Sequence, residues 1–283
     1  MDRPLAFLRG EPVTWSLLGE RLIEARGGAV LAEVILDRVI AQRVAEAGLA
    51  ISDQDVALER DILAMALSDD ADQAARLIVE LRQRRGLGDQ RYESFLRRQA
   101  GLRKLIQPQV EVGPAAVGQA YQLQYGPQYE VRIIVTATLR ELGAVAKEAQ
   151  AGVPIHELAV RHSTDASKTQ GGLLSPFSLV DATYPAAIRT AVATLRVGSV
   201  SQPIAIENGF ALIKLERKID ARNVNFDDVK EKLTVLVRRR VENLLMRQRE
   251  RAMLDDANAR LTILNPALKK SWDQQIARSS HEP

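Results

Sequence analysis

The chain has 283 residues, 46% apolar and 27% charged, enough to bury a sizeable core in one to three domains. Its net charge of +3 is the small difference between 39 basic and 36 acidic residues spread along the chain, which argues against a nucleic-acid-binding stripe. With no cysteine and three histidines, disulfides and thiol chemistry are excluded and a zinc site is not expected.

From the N-terminus, the residues around Leu5, Phe7 and Leu8 form an apolar run followed by a Gly10-Glu11-Pro12 turn signal. They predict a short strand leading into a helix that Thr14 or Ser16 caps and Gly27-Gly28 ends. No basic stretch followed by a long apolar one opens the chain, so no secretory signal is read. No run reaches the roughly 20 apolar residues of a membrane span, so no integral membrane segment is expected.

A second helix over 30–47 carries Leu31, Val34, Ile35, Val39, Ile40 and Val44 at helical spacing, with Gly48 as its stop. Ser52 or Asp53 caps a third helix, a fourth covers 72–85, and a fifth covers 92–106. Their basic residues (Arg82, Arg84, Arg85, Arg97, Arg98, Arg103 and Lys104) read as a solvated face, with RNA binding as the competing reading. A short helix over 114–125 precedes Gly126-Pro127.

The stretch 129–217 changes character. Apolar runs open and close it, around Ile133-Ile134-Val135 and Leu212-Ile213, as strands would. After it, 226–261 is one long helical pattern with Val229, Leu233, Leu236, Val237, Val241, Leu244 and Leu245 on a stripe. Such a stripe is expected to pack back on the N-terminal helices. The segment 260–264 is expected to pair as a strand with 6–8, and the tail from Ser271 to fray.

Within 129–218, a strand, a helix, Ser163 and Asp165, Gly171-Gly172, a second helix, Gly198, Pro203 and Asn208-Gly209-Phe210 follow one another in order. This series resembles the parvulin-type peptidyl-prolyl isomerases. The flanks, Arg9-Gly10-Glu11-Pro12-Val13-Thr14 and Ala47-Gly48-Leu49-Ala50-Ile51-Ser52-Asp53, are similar to the N-terminal chaperone domain of SurA-like and PrsA-like envelope foldases. The resemblance implies an α+β chain. A discontinuous helical chaperone domain (1–127, with a long C-terminal helix in 219–283 returning to it) carries an inserted parvulin-like domain, 128–218, with a four-stranded antiparallel sheet.

The function implied is isomerisation of X–Pro bonds in unfolded or extended proline-containing polypeptides, without cofactor or metal, in a bacterial envelope. Two other readings stand beside it: a parvulin-fold chaperone that holds clients without turnover, and a helical scaffold that binds a partner or RNA. In the family pattern Ser163 supplies a hydroxyl, Asp165 lies beside the substrate carbonyl, and Leu174, Phe177, Ile188 and Phe210 line the apolar pocket. The two histidines usual in the family fall at Arg132 and Ala211, so Arg132 is assigned the task of pairing with Asp165. Read as bare residues, Ser163 and Asp165 are equally good loop caps, and Leu174 and Phe177 read as core before pocket; the resemblance is what raises them.

Overall fold

In the computed structural model, residues 3–279 are described. They divide into two compact units, one formed by Met1–Glu111 with Arg240–Pro283 and the other by Val112–Arg239. The division places the helix over 114–125 and the first turns of the long C-terminal helix with the sheet.

The first unit opens with a hairpin of β1 (Pro4–Leu8) and β2 (Glu11–Thr14). Arg9 and Gly10 both have positive φ, the turn geometry that a two-residue hairpin loop requires. Five helices follow: α1 (Trp15–Leu22), α2 (Gly28–Glu46), α3 (Asp53–Leu67), α4 (Ala71–Arg85) and α5 (Asp89–Ile106). The Gly27-Gly28 pair does not end a helix. The chain runs through a wider turn, Ile23–Gly27, straight into α2, and Gly28 has ordinary helical angles. Its lack of a side chain serves packing instead: a Cβ there would lie 2.2 Å from the Ser271 carbonyl oxygen.

Leu36, Ile40 and Val44 on α2 bury against Leu102 and Ile106 of α5 and against Met246 and Met253 of the long helix. Gly101 allows the close crossing, since a Cβ there would meet the Ile40 side chain at 2.5 Å. The long helix α10 runs Phe226–Arg260, and a further helix, α11, spans Pro266–Ser279.

Two expectations fail in this unit. Residues 261–265 form no strand, and the partner of β1 is β2, its sequence neighbour. A local hairpin closes at far lower entropic cost than a pairing across some 250 residues. Residues 271–279 are helical rather than frayed, because Trp272 is 2% exposed and its indole N–H donates to Asn258 at 2.7 Å; the rest of that tail lies outside the described residues.

The second unit contains α6 (Pro114–Tyr125), β3 (Gln128–Thr136), α7 (Leu139–Gln150), α8 (Ile155–His162), α9 (Ala186–Thr194), β4 (Ile204–Ile206) and β5 (Gly209–Ile219). The sheet is antiparallel in the order β3-β5-β4. Strand alternation gives it two buried faces. Ile134 and Leu212 face α7 and α8, while Val131, Ile133, Val135, Ala211, Ile213 and Leu215 face Phe177 and α9.

Three strands form rather than the four expected. The missing edge is present as single bridges along β3, Arg132 with Leu173 and Tyr129 with Phe177. Gly171 and Gly172 both have positive φ (64° and 74°), which turns the backbone out of a continuous extended path just where that edge begins.

Candidate functional site

The site is built on the α9-facing side of the sheet. Its floor is aliphatic: Ile133 and Val135 from β3, Ala211 and Ile213 from β5, and Ile188 from α9. Phe177, 3% exposed, closes one side. Leu174, Leu179, Tyr184, Leu195, Ile204 and Ile206 are partly exposed around the rim. Leu174, Phe177 and Ile188, singled out from the sequence, meet here.

Phe210 does not join them. It is one residue away from Ala211 on a strand, so its side chain points to the opposite face and packs with the α7 and α8 cluster. The aromatic that reaches the bowl is Tyr184. Its ring stacks on Phe177 with centroids 4.0 Å apart and planes 17° from parallel. Sequence reading passed it over; the available signal was an aromatic one helical turn ahead of Ile188, just before Pro185 opens α9. Burial, with the nearby Asp181 carboxylate, pushes the Tyr184 hydroxyl above its ordinary pKa. Arg189 fixes the loop, donating to the carbonyl oxygens of Leu179 and Tyr184, both at 3.0 Å.

Ser163 and Asp165 lie where α8 ends against the edge of β3. The buried Ser163 hydroxyl oxygen accepts the Val135 N–H at 3.1 Å and the Asp165 N–H at 3.2 Å. The Thr164 N–H donates to the Val135 carbonyl at 2.8 Å. The loop is thereby fixed at the strand position whose side chain faces Ala211. Asp165, half-buried, accepts the Ser167 N–H and hydroxyl at Oδ1, at 2.8 and 2.5 Å, which caps the following 3-10 turn. The capping reading of both residues is therefore realised, and it leaves the Ser163 hydroxyl proton and the Asp165 Oδ2 free of these bonds.

Arg132 does not pair with Asp165. Its Nε donates to Glu216 at 3.1 Å, and its Nη1 donates to the Gly171 and Gln170 carbonyls at 2.7 and 3.1 Å. The cause is register. Arg132 lies opposite Lys214, on the face away from Ala211, while Ile133 and Val135 share Ala211's face. Glu216, the unpaired residue where the β3–β5 register shifts, turns its carboxylate to both Arg132 and Lys214. Arg132 and Ala211 lie on opposite faces of the sheet; the β3 partner of Ala211 is Val135, which carries no polar group.

His162 is more than a third exposed, with its Nε2 3.6 Å from Glu148 and away from the bowl. What the arrangement offers chemically is an apolar cluster whose rim is partly exposed at Leu174 and Tyr184, with one aromatic stack.

Comparison with known proteins matches residues 135–217 to the Rotamase family, described as a PPIC-type PPIASE domain. The YacD protein of Bacillus subtilis is 33% identical over 112 residues, 39% of this chain and 38% of its own length. The foldase protein PrsA of Clostridium botulinum is 24% identical over 232 residues, 78% of this chain and 69% of its own. Among solved structures, the peptidylprolyl isomerase PrsA of Bacillus anthracis superposes with a TM-score of 0.49 at 24% identity, covering 83% of this chain and 100% of that one.

Proposed function

We propose that the chain works as a foldase on proline-containing unfolded polypeptides, through a parvulin-like domain that matches the PPIC-type PPIASE family over residues 135–217, beside a helical domain like that of PrsA. The observation that carries the reading is the Tyr184–Phe177 stack, partly exposed at Tyr184, packed on a buried aliphatic cluster.

Rotation about an X–Pro bond must break amide resonance at a barrier of roughly 18–20 kcal/mol. Resonance places negative charge on the carbonyl oxygen, and twisting removes it. A site that is apolar, and that sets a carboxylate near that oxygen, therefore favours the twisted amide over the planar one. In this reading the proline ring rests against Tyr184, Phe177 and Leu174. Asp165, held by its Oδ1 bonds to Ser167, turns Oδ2 toward the substrate carbonyl, and the Ser163 hydroxyl orients the loop. No group forms a covalent bond to substrate, and no cofactor takes part. Arg132 has no catalytic part; it braces the 170–171 turn. The likeness to PrsA foldases supports work in the bacterial envelope, while the cysteine-free composition suits either compartment.

The test is exchange spectroscopy by NMR on a short Ala-Pro peptide with the full chain. Acceleration that falls roughly tenfold, about 1.4 kcal/mol of barrier, in Asp165→Asn supports the reading. Peptide shifts mapping to Tyr184 without any acceleration would instead mean a domain that holds clients without turning the bond, a reading that the absence of polar side chains at 133, 135 and 211 favours.

A further inference from the structure

The arginines of the helical unit fall into two groups. Most of those on α4 and α5 are occupied: Arg82 pairs with Asp89, Arg97 with Asp53, Arg98 with Asp37, and Arg103 with Glu59 and Glu242, while Arg76 and Arg85 form no ion pair among the described residues. On α10 the arrangement is inverted. Glu242 points inward to Arg103, and Glu250 is buried near Arg98, while Arg247, Arg249 and Arg251 are exposed. Among the described residues these three have no ion pair. From 243 to 254 the exposed surface of α10 thus carries arginine and no acid.

One of these arginines borders a cleft. Between α2 and α10 lies a space of about 300 Å³ floored by Val39, Ala252 and Met253, with Arg43, Arg249, Arg260 and one acid, Asp256, around it. Arg43 is paired with Glu46 at 3.1 Å, and Arg260 with Asp256 at 2.8 Å, each on its own helix. Arg249 leaves one positive charge uncompensated beside an apolar floor of side-chain size.

We propose that this cleft docks a polypeptide segment presenting an apolar side chain next to a carboxylate. The floor takes the side chain and Arg249 takes the carboxylate, with the remaining N–H groups of Arg43 and Arg260 as further donors. Charge complementarity selects the acidic partner, and the size of the floor selects a single apolar anchor over an extended acidic polymer. The site lies wholly in the helical unit and does not depend on isomerase activity.

The test is fluorescence anisotropy of the full chain with a labelled peptide of alternating Leu and Asp. A peptide with Ser for Leu and single-stranded RNA serve as the other probes. The expected result is that Arg249→Glu weakens Leu-Asp binding roughly tenfold while Arg247→Glu, outside the cleft on the same helix, changes it less than about twofold. Arg249→Gln, read the same way, replaces Arg249→Glu if that variant loses its helical circular dichroism. Isomerase turnover, where present, stays at the wild-type level in all three. Equal losses in Arg247→Glu and Arg249→Glu, or equal affinity for the Ser peptide, would overturn the proposal in favour of a diffuse basic surface. Tighter RNA binding that Arg249→Glu abolishes would overturn it in favour of nucleic acid.

Discussion

At the residue scale, Asp165 holds a structural bond through Oδ1 to Ser167 and is proposed to turn Oδ2 to the substrate carbonyl. Asparagine can still accept from Ser167 at its carbonyl oxygen, so Asp165→Asn should keep the loop and change stability by less than about 0.5 kcal/mol, measured by urea denaturation. A fall in isomerisation without a fall in stability then isolates the charge. Tyr184 separates differently. Tyr184→Phe retains the stack on Phe177 and should leave peptide affinity within about twofold, while Tyr184→Ala removes an aromatic pair worth ~0.5–1.5 kcal/mol and should weaken it several-fold, read by peptide titration in NMR. Gly172 is purely architectural. Its φ is +74° and a Cβ would lie 2.3 Å from the Ile133 carbonyl oxygen, so Gly172→Ala should cost at least ~2 kcal/mol in the same denaturation assay.

At the element scale, two acids of α10, Glu242 and Glu250, are turned inward, while Arg247, Arg249 and Arg251 are exposed. Burial pushes the Glu250 carboxyl above its ordinary pKa, with Arg98 opposing the shift only in part. A carboxyl raised in the folded state contributes stability below its unfolded pKa and loses that contribution as pH rises through the folded value. Glu250→Gln should therefore raise the thermal midpoint at pH 7, and the gain should shrink as pH falls through the raised value and be gone below the ordinary glutamate range. The N-terminus of α3 has the opposite sign. The Ser52 hydroxyl and backbone N–H hold the Asp55 carboxyl down at about 2, with Lys104 assisting. Its stabilising effect is present above the ordinary aspartate pKa and disappears as pH falls toward 2, so Ser52→Ala should move the Asp55 titration upward in an NMR pH series.

These elements were largely legible in the sequence. Ser52 and Asp55 form a capping box at α3, Gly86 has a left-handed φ of 63° after α4, and the α2 stripe of Ile40 and Val44 is core. Where legibility failed, a local signal had two physical uses. Gly27-Gly28 resembled a helix stop because glycine is permissive, but Gly28 is there for the approach of Ser271. The stretch 260–264 resembled a strand because Leu and Ile also suit a loop between two helices, and β1 had already found its partner nearby.

At the scale of the whole molecule, each unit has its own core, the helical one around Ile40, Leu102 and Met246 and the other around the two faces of the sheet. Calorimetry should resolve two unfolding transitions, and Tyr184→Ala should shift only the one that reports the sheet. The RNA reading of the arginine-bearing helices weakens at this scale: of the basic residues on α4 and α5 that prompted it, all but Arg85 form ion pairs within the helical unit.

The sequence by itself determined the helices, their caps, the order of strand, helix and glycine motifs across 129–217, and the residue types available for an apolar cluster. Those are local properties, set by spacing, capping chemistry and backbone freedom within a few residues. Only the tertiary structure decided which residues meet. Strand alternation has a period of two, so a shift of one position moves a side chain to the other face, and the sequence does not say which neighbour it will pair with. The pairing of β3 with β5, with its irregularity at Glu216, put Arg132 against Glu216, sent Phe210 toward α7 and α8, and left Ile133, Val135 and Ala211 as a floor with no polar side chain beneath Tyr184.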